Sequence, residues 1–271
     1  MAFDFAPYLQ RIDYAGPLSP ALETLQRLQF AHVQHIPFEN LDILLGQPIL
    51  LDHESIWNKL VVRNRGGYCF EQNRLLATVL ENLGFQVTCL AGRVQMGSQQ
   101  VRPKTHMLLM IQVEGEDWLA DVGFGGESLL YPLRFKMDEV QSQFGWRYRI
   151  AAERDYYSLQ SMRPEGWFEL YRFTLEPRHP IDYDVANHYT STHSQSRFMQ
   201  NLIVARPSSE ARVSLWNRTL LVQTPSGTTE TPVKGDEELL QLLAERFGLH
   251  VPAGAMFPQS HSTVEYFRDS A

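Results

Sequence analysis

Apolar residues in the first third of the chain recur at the spacing of amphipathic helices. Two stretches show the pattern most clearly, one in PALETLQRLQFAHVQHI and one that starts at Phe70 and ends before Gly84. Their apolar positions are Leu22, Leu25, Leu28 and Phe30 in the first, and Leu75, Leu76, Val79, Leu80 and Leu83 in the second. A period of three to four residues predicts a helix, and glycine is common just beyond the last helical turn. The pattern therefore predicts a mainly helical segment over residues 1–85.

After Gly84 the pattern changes to that of β-strands. Six stretches are rich in β-branched and aromatic residues, and short polar turns separate several of them. They read FQVTCLAGRVQM, THMLLMIQV, DWLADVGF, WRYRIAA, DYYSLQSM and GWFELYRFTL. So many short strands in succession predict an antiparallel barrel or sandwich rather than a parallel α/β sheet.

From Pro177 onward the pattern is mixed. IDYDVANHYTSTHSQSRFMQNLIVAR is typical of a helical or loop crossover, and ARVSLWNRTLLVQTP and GTTETPVK are typical of strands. GDEELLQLLAERFGL carries a leucine stripe at helical spacing and predicts a terminal helix. The chain is therefore expected to be α+β, with helices first, strands next and a mixed segment last.

Composition narrows the class of protein. A chain of 271 residues is long enough for two domains, or for one domain with an added lobe. The net charge of −7 argues against a nucleic-acid partner. No apolar run approaches the roughly 20 residues of a membrane helix, and the start of the chain lacks the pattern of a signal peptide. Two cysteines do not make a disulfide framework, which favours the reducing cytoplasm. Together these observations predict a cytoplasmic protein that binds neither nucleic acid nor membrane.

One cysteine lies where its thiol could act as a nucleophile. In RGGYCFEQN, Cys69 follows a Gly-Gly turn and stands at the start of the second predicted helix. A helix N-terminus favours the thiolate, whose parent thiol has a pKa of about 8.5 when unperturbed. A buried and inert cysteine explains the stretch equally well, because free cysteine is often buried. Cys89 lies within a strand pattern, where the inert interpretation is the better one.

A catalytic cysteine needs a base, and His106 is the best placed of the nine histidines because it opens an apolar strand. Asp121 lies in a later apolar strand, where an unpaired charge would be costly to bury. A flat hairpin about Gly115 would place Asp121 opposite Met110. This position shares a face with His106 but lies about 13 Å along the strand from it. We therefore expect a bulge, a strong twist or another strand arrangement if the two side chains are to meet.

The usual cofactor motifs are absent from the sequence. There is no C-x-x-C, no H-E-x-x-H and no G-x-x-x-x-G-K-[ST], and the single H-x-x-H at His32 and His35 has no further clustered ligands. We therefore predict no metal site and no phosphate-binding loop.

Four motifs together resemble the arylamine N-acetyltransferase family. They are IPFENLD (36–42), RGGYCFEQN (65–73), THMLL (105–109) and DVGFGG (121–126), supported by NHYTSTHSQSRF (187–198) and the opening YLQRIDYAG. The resemblance covers essentially the whole chain. It implies an α+β multi-domain fold with a cysteine-protease-like catalytic core. Its parts would be a helical bundle over 1–85 carrying the cysteine, an antiparallel β-barrel over 86–186 carrying the histidine and aspartate, and an α/β lid over 187–271.

The same resemblance implies the chemistry. Cys69 would accept the acetyl group, His106 would be its base, and Asp121 would orient the histidine. The cosubstrate would be acetyl-CoA, with no metal. The acceptors would be aromatic amines or hydrazines, with O-acetylation of N-hydroxyarylamines as a further activity and xenobiotic metabolism as the setting.

The resemblance also suggests ligand contacts and a structural pair. Phe38, Val94 and Phe124 are the candidates for the slot that holds the arylamine ring. Candidate CoA contacts are Gly123, Gly125, Gly126, Thr190, Ser191 and Thr192. Core packing, a sharp turn and helix capping remain open as the simpler explanations for most of these positions. Glu39 and Arg65 are predicted to form an ion pair that fixes the loop before Cys69.

Two other functions remain open on the residues alone. A thiol hydrolase or transglutaminase-like enzyme would use the same Cys, His, Asp order on an amide or ester and would need no CoA. A ligand-binding protein that retains the fold would need none of the three side chains, so the complete set argues against it.

Overall fold

The computed structural model describes residues 3–252 and 254–258, which form an α+β fold. The helices in this part are α1 (Ala6–Arg11), α2 (Leu22–His35), α3 (Leu41–Leu44), α4 (His53–Trp57), α5 (Cys69–Asn82), α6 (Pro180–Thr192), α7 (Arg197–Gln200) and α8 (Gly235–Phe247). A π-helical turn, Asn58–Val62, follows α4. The same part of the chain contains no helix with the length and apolarity needed to cross a membrane.

The strands fall into two antiparallel sheets. They are β1 (Phe38–Glu39), β2 (Gln86–Val94), β3 (His106–Val113), β4 (Glu116–Ala120), β5 (Leu133–Arg134), β6 (Gln141–Gln143), β7 (Trp146–Ala152), β8 (Tyr157–Arg163), β9 (Gly166–Phe173), β10 (Ile203–Pro207), β11 (Arg212–Trp216), β12 (Thr219–Thr224) and β13 (Gly227–Pro232). A 3₁₀ turn, Gly125–Glu127, follows β4.

The terminal helix predicted from its leucine stripe is present as α8, and both helices predicted in the first third of the chain are confirmed. The second, α5, begins at Cys69, one residue before the predicted start, because the Glu71 carboxylate accepts a hydrogen bond from the Tyr68 N–H at 3.0 Å and caps the first turn. Its end is as expected, since Gly84 adopts a φ of 91° just after the last turn. The apolar face of α5 packs into the core that the helices share with one side of the large sheet.

The large sheet has eight strands in the order β5-β4-β3-β2-β9-β8-β7-β6. All six predicted strands are present, and the sheet curls into a nearly closed barrel. Its two edges meet through a side chain: the Arg134 N–H donates to Gln141 Oε1 at 2.8 Å, and Gln141 Nε2 donates to the Arg134 carbonyl at 2.9 Å. The edge strands β5 and β6 were not predicted, because segments of two and three residues are too short to show an alternation of apolar and polar positions.

The hairpin between β3 and β4 corrects the predicted register. Its turn consists of two residues, Glu114 and Gly115, both at positive φ (54° and 79°), as in the tight turns that match strand twist. Leu109 pairs with Ala120, so extending the register by one residue places Asp121 level with Leu108. The prediction that Asp121 faces Met110 was wrong. The true offset from His106 is two residues, about 6.6 Å along the strand rather than about 13 Å.

The second sheet has five strands in the order β1-β10-β11-β12-β13. One of its sides packs against α8 around a separate apolar core. Its first strand, β1, comes from the N-terminal third of the chain, where Phe38 pairs with Ala205. The division into 1–85, 86–186 and 187–271 stays a prediction, as does the cysteine-protease-like core. The last range includes residue 253 and residues 259–271, which lie outside the described part, and α6 runs across the boundary at 186.

Candidate active site

Cys69 is held at the first residue of α5 by a closely packed turn. A side chain at Gly66 would place its Cβ 2.1 Å from the Pro37 carbonyl oxygen, so only glycine fits there. The cysteine is 4% exposed, and its Sγ lies 3.5 Å from the Thr105 carbonyl oxygen. The N–H groups of a first helical turn have no helical acceptor and form the positive end of the helix dipole. The location therefore suits an anionic sulfur.

His106 and Asp121 are in direct contact. His106 Nε2 lies 2.7 Å from Asp121 Oδ2, and both side chains are buried. Burial alone would lower the pKa of His106, but the charge and hydrogen bond of Asp121, with a smaller contribution from the Cys69 sulfur, raise it above its usual value. Because Asp121 occupies Nε2, Nδ1 is the ring nitrogen left for Cys69. An imidazolium beside a thiol favours the thiolate.

Asn73 was not predicted as a site residue, yet it lies on the helix that begins at Cys69 and binds the carboxylate of Asp121. Its Nδ2 donates to Asp121 Oδ1 at 2.9 Å and to the Met107 carbonyl at 2.7 Å, and its Oδ1 accepts from the Val122 N–H at 3.0 Å. The spacing of four residues from Cys69 puts it on the same face of α5, which is the signal that sequence reasoning could have used. The bond from Asn73 Nδ2 and one from the Gly123 N–H at 2.9 Å keep the buried carboxylate of Asp121 satisfied.

Gly123 lets the end of β4 approach the start of α5. A Cβ at this position would lie 2.6 Å from Cys69 Cα, 2.8 Å from Asn73 Nδ2 and 3.1 Å from Cys69 Cβ. No side chain fits at such distances, so glycine here is required for packing around Cys69. Its predicted contact with CoA stays a prediction.

A single cavity contains Cys69, His106 and most of the predicted ligand contacts. All three residues proposed for the arylamine slot line it, and so do the three glycines proposed for CoA: Phe38, Val94, Phe124, Gly123, Gly125 and Gly126. The Phe124 ring stands edge-on to His106, with ring centres 5.0 Å apart. Seven further lining residues were not predicted, and they come from α7 and the second sheet: Arg197, Phe198, Ile203, Ala205, Ser214, Leu215 and Trp216.

The three hydroxyls predicted to contact CoA lie outside this lining. Thr190, Ser191 and Thr192 occupy the last turn of α6. Each donates to a carbonyl four residues earlier in the same helix, at 2.8 Å, 2.8 Å and 2.6 Å respectively. Their role toward CoA stays a prediction, and these three bonds follow from helix geometry.

The predicted Glu39–Arg65 pair is present and belongs to a larger network. Arg65 Nη2 lies 2.9 Å from Glu39 Oε1 and 2.9 Å from Asp42 Oδ1. Lys59 Nζ continues the network, at 2.9 Å from Asp42 Oδ2 and 2.8 Å from Glu71 Oε1. Burial would raise the pKa of Asp42, but the Lys59 and Arg65 cations lower it. The network thus ties the loops before Cys69 to the capping residue of its helix.

In the part of the chain that the structure describes, no group of three or more His, Cys, Asp or Glu side chains is arranged to hold a metal ion. His106 binds the Asp121 carboxylate, which also accepts a hydrogen bond from Asn73. A cysteine beside a histidine held in this way is suited to acyl transfer through a thiolate.

Comparison with known proteins places this geometry in context. A family model described as N-acetyltransferase matches residues 21–256. An arylamine N-acetyltransferase of Mycolicibacterium smegmatis is 41% identical over 255 residues, which cover 92% of this chain and 93% of the relative. An arylamine N-acetyltransferase / N-hydroxyarylamine O-acetyltransferase of Salmonella typhimurium is 37% identical, covering 90% and 88%. The structure of Mycobacterium marinum arylamine N-acetyltransferase in complex with CoA superposes with a TM-score of 0.87 at 37% identity, covering 90% and 92%.

Proposed function

Because this chain belongs to the arylamine N-acetyltransferase family of acyltransferases, we propose that it moves an acetyl group from acetyl-CoA to arylamines or hydrazines through an acetyl-Cys69 thioester. One observation carries the proposal. Cys69 and His106 line one cavity, and the histidine is bound to a buried carboxylate at 2.7 Å.

In the first half-reaction the Cys69 thiolate attacks the thioester carbonyl carbon of acetyl-CoA. A sulfur–carbon bond forms, the carbonyl oxygen becomes an oxyanion, and the bond to the CoA sulfur then breaks. N–H groups at the start of a helix are suited to stabilise such an oxyanion. His106, kept protonated by Asp121, supplies a proton to the departing CoA thiolate.

In the second half-reaction the amine attacks the acetyl carbon and Cys69 leaves as thiolate. His106 takes the proton that the amine loses, which returns the site to its starting state. An arylamine is a weak base and is largely neutral at pH 7, so its lone pair is available. Its flat ring suits the apolar wall formed by Phe38, Val94 and Phe124. Splitting one transfer into two makes the reaction ping-pong.

The ligand contacts follow from the same proposal. Gly125 and Gly126 border the cavity and leave room for the pantetheine arm of CoA, and Gly123 and the hydroxyls of residues 190–192 are proposed as further CoA contacts. The name of the Salmonella typhimurium relative includes N-hydroxyarylamine O-acetylation, and we extend that activity to this chain as a proposal. A cytoplasmic location and a role in xenobiotic metabolism belong to the proposal as well.

Initial-rate kinetics test the ping-pong route. Rates measured at several fixed arylamine concentrations against varied acetyl-CoA should give parallel double-reciprocal lines, because CoA leaves before the amine reacts. The Cys69→Ser variant, which keeps the shape of the side chain, is the matched control and should show no transfer above background. Intersecting lines would mean a ternary complex and would contradict an acetyl-enzyme intermediate.

A further inference from the structure

Glu127 is a charged residue in the wall of the active-site cavity that the mechanism does not use. It ends the 3₁₀ turn Gly125–Glu127, three residues after Phe124, and is 4% exposed. A carboxylate this deeply buried is costly unless cations and hydrogen bonds compensate it. Its partners therefore show what holds it there.

Two arginines from different sheets bind this carboxylate. Arg212 of β11 donates from Nη1 to Glu127 Oε2 at 2.7 Å, and Arg163 of β8 donates from Nη2 to Glu127 Oε1 at 3.2 Å. Each guanidinium also lies over an aromatic ring: Arg212 is 3.6 Å from the ring centre of Trp146, and Arg163 is 3.4 Å from that of Phe168. The Glu127 carboxylate thus joins the turn to the barrel on one side and to the second sheet on the other.

The segment from Asp121 to Glu127 has two separate anchors. At its start, Asn73 and the Gly123 N–H hold the Asp121 carboxylate, and with it His106. At its end, the two arginines hold Glu127. Phe124 lies between the anchors, and its ring packs edge-on against Tyr171 with centres 4.9 Å apart. A change at the second anchor therefore acts on the Phe124 end of the segment, while Asn73 and the Gly123 N–H still hold Asp121.

We propose that Glu127 is a positioning residue for the acceptor amine: its paired carboxylate fixes the turn that sets the distance of the Phe124 ring from the acetylated cysteine. This inference rests on the proposed acetyl transfer. A flat ring needs a wall at a defined distance. The flexible pantetheine arm, proposed to pass Gly125 and Gly126 of the same turn, meets no side chain of those residues and tolerates a small shift of the turn. Glu127 therefore governs the second half-reaction with ring-bearing acceptors and not the first half-reaction.

The test separates the two half-reactions of the full-length Glu127→Gln variant. At saturating acetyl-CoA, acetylation of Cys69, followed by quenched intact-mass measurement, should proceed close to the wild-type rate. The half-saturating concentration of aniline for discharge of the acetyl-enzyme should rise about ten-fold or more. The limiting rate of discharge should stay close to that of the wild type. Discharge by hydrazine, which has no ring, should match that of the wild type.

A matched control is Glu116→Gln, which breaks a half-exposed pair with Arg134 on the same barrel and should change none of these rates. If Glu127→Gln does not fold, Arg163→Lys keeps the charge but loses the planar contact with the carboxylate, and the same selective loss is expected from it. Equal losses for aniline and hydrazine, or no loss for either, would overturn the inference. A wild-type enzyme that never becomes acetylated would instead refute the proposed function on which it rests.

Discussion

Replacing Gly123 by alanine should displace the nucleophile. The added Cβ would lie 2.6 Å from Cys69 Cα and 2.8 Å from Asn73 Nδ2. Because ordinary carbon–carbon contacts are about 3.5–4.0 Å, the start of α5 must retreat by about 1 Å. A misplacement of about 1 Å in a reacting group is enough to cost on the order of 100-fold in rate.

The stability cost should be far smaller than the kinetic one. One extra methyl group in a packed region destabilises by about 1–3 kcal/mol, which leaves most domains folded. We therefore expect Gly123→Ala to unfold at moderately lower denaturant concentration while its Cys69 acetylation slows by roughly 100-fold. The assay is rapid-quench intact-mass spectrometry with excess acetyl-CoA, in parallel with denaturant titration of the same preparation.

A glycine outside the cavity lining provides the control. A Cβ at Gly16 would lie 2.6 Å from Tyr14 Oη and 3.1 Å from the guanidinium carbon of Arg27, the ends of flexible side chains that can move aside. Gly16→Ala should therefore retain a near wild-type acetylation rate. If Gly123→Ala acetylates as fast as Gly16→Ala, the close packing of Gly123 against Cys69 does not position the sulfur.

Three further predictions concern the supports of the site. Asn73→Ala leaves buried groups around Asp121 without partners, so the free energy of unfolding should fall by about 1–3 kcal/mol in denaturant titration, and an unchanged value would contradict the bonding. Because Asp121 raises the pKa of His106 in the folded state, the stability that this pair contributes is complete below about pH 6.5 and is lost as the pH rises toward about 10. Unfolding titrations over that range should show a shallower decline in Asp121→Asn, and an equally steep one would refute the assignment. Glu39→Gln, which weakens the bond to Arg65, should lower the yield of folded protein more than it lowers acetyl transfer per folded molecule. A larger loss of acetyl transfer than of folded yield would contradict a structural role for Glu39.

Local patterns were enough to predict the main elements, whereas the proposed catalytic roles of Cys69, His106 and Asp121 came from the resemblance to a known family. The helix that carries Cys69 and the strand that opens with His106 follow from apolar periodicity, and the surrounding motifs identify Asp121. The contact between the last two did not follow, because it depends on the register of a hairpin. A turn of two residues at Glu114 and Gly115 changes that register by two positions compared with the predicted one.

Other parts of the site depend on contacts between distant segments, which periodicity does not reveal. The wall formed by Leu215 and Trp216 reaches the cavity only because β1 joins the second sheet beside β10. The pair between Glu127 and Arg212 spans 85 positions in sequence. Such contacts leave no local signal, whereas Asn73 did leave one through its spacing from Cys69 along the helix.

The intermediate itself tests the central claim most directly. The protein is incubated with acetyl-CoA alone and is then separated from CoA and unreacted acetyl-CoA. Its intact mass is measured before and after it is mixed with an arylamine. The account predicts one acetyl group, absent from Cys69→Ser, that is stable without amine and is transferred to the amine on mixing. An enzyme that stays unmodified, or an acetyl group that is lost to water as fast as to the amine, would contradict the account and favour a thiol hydrolase.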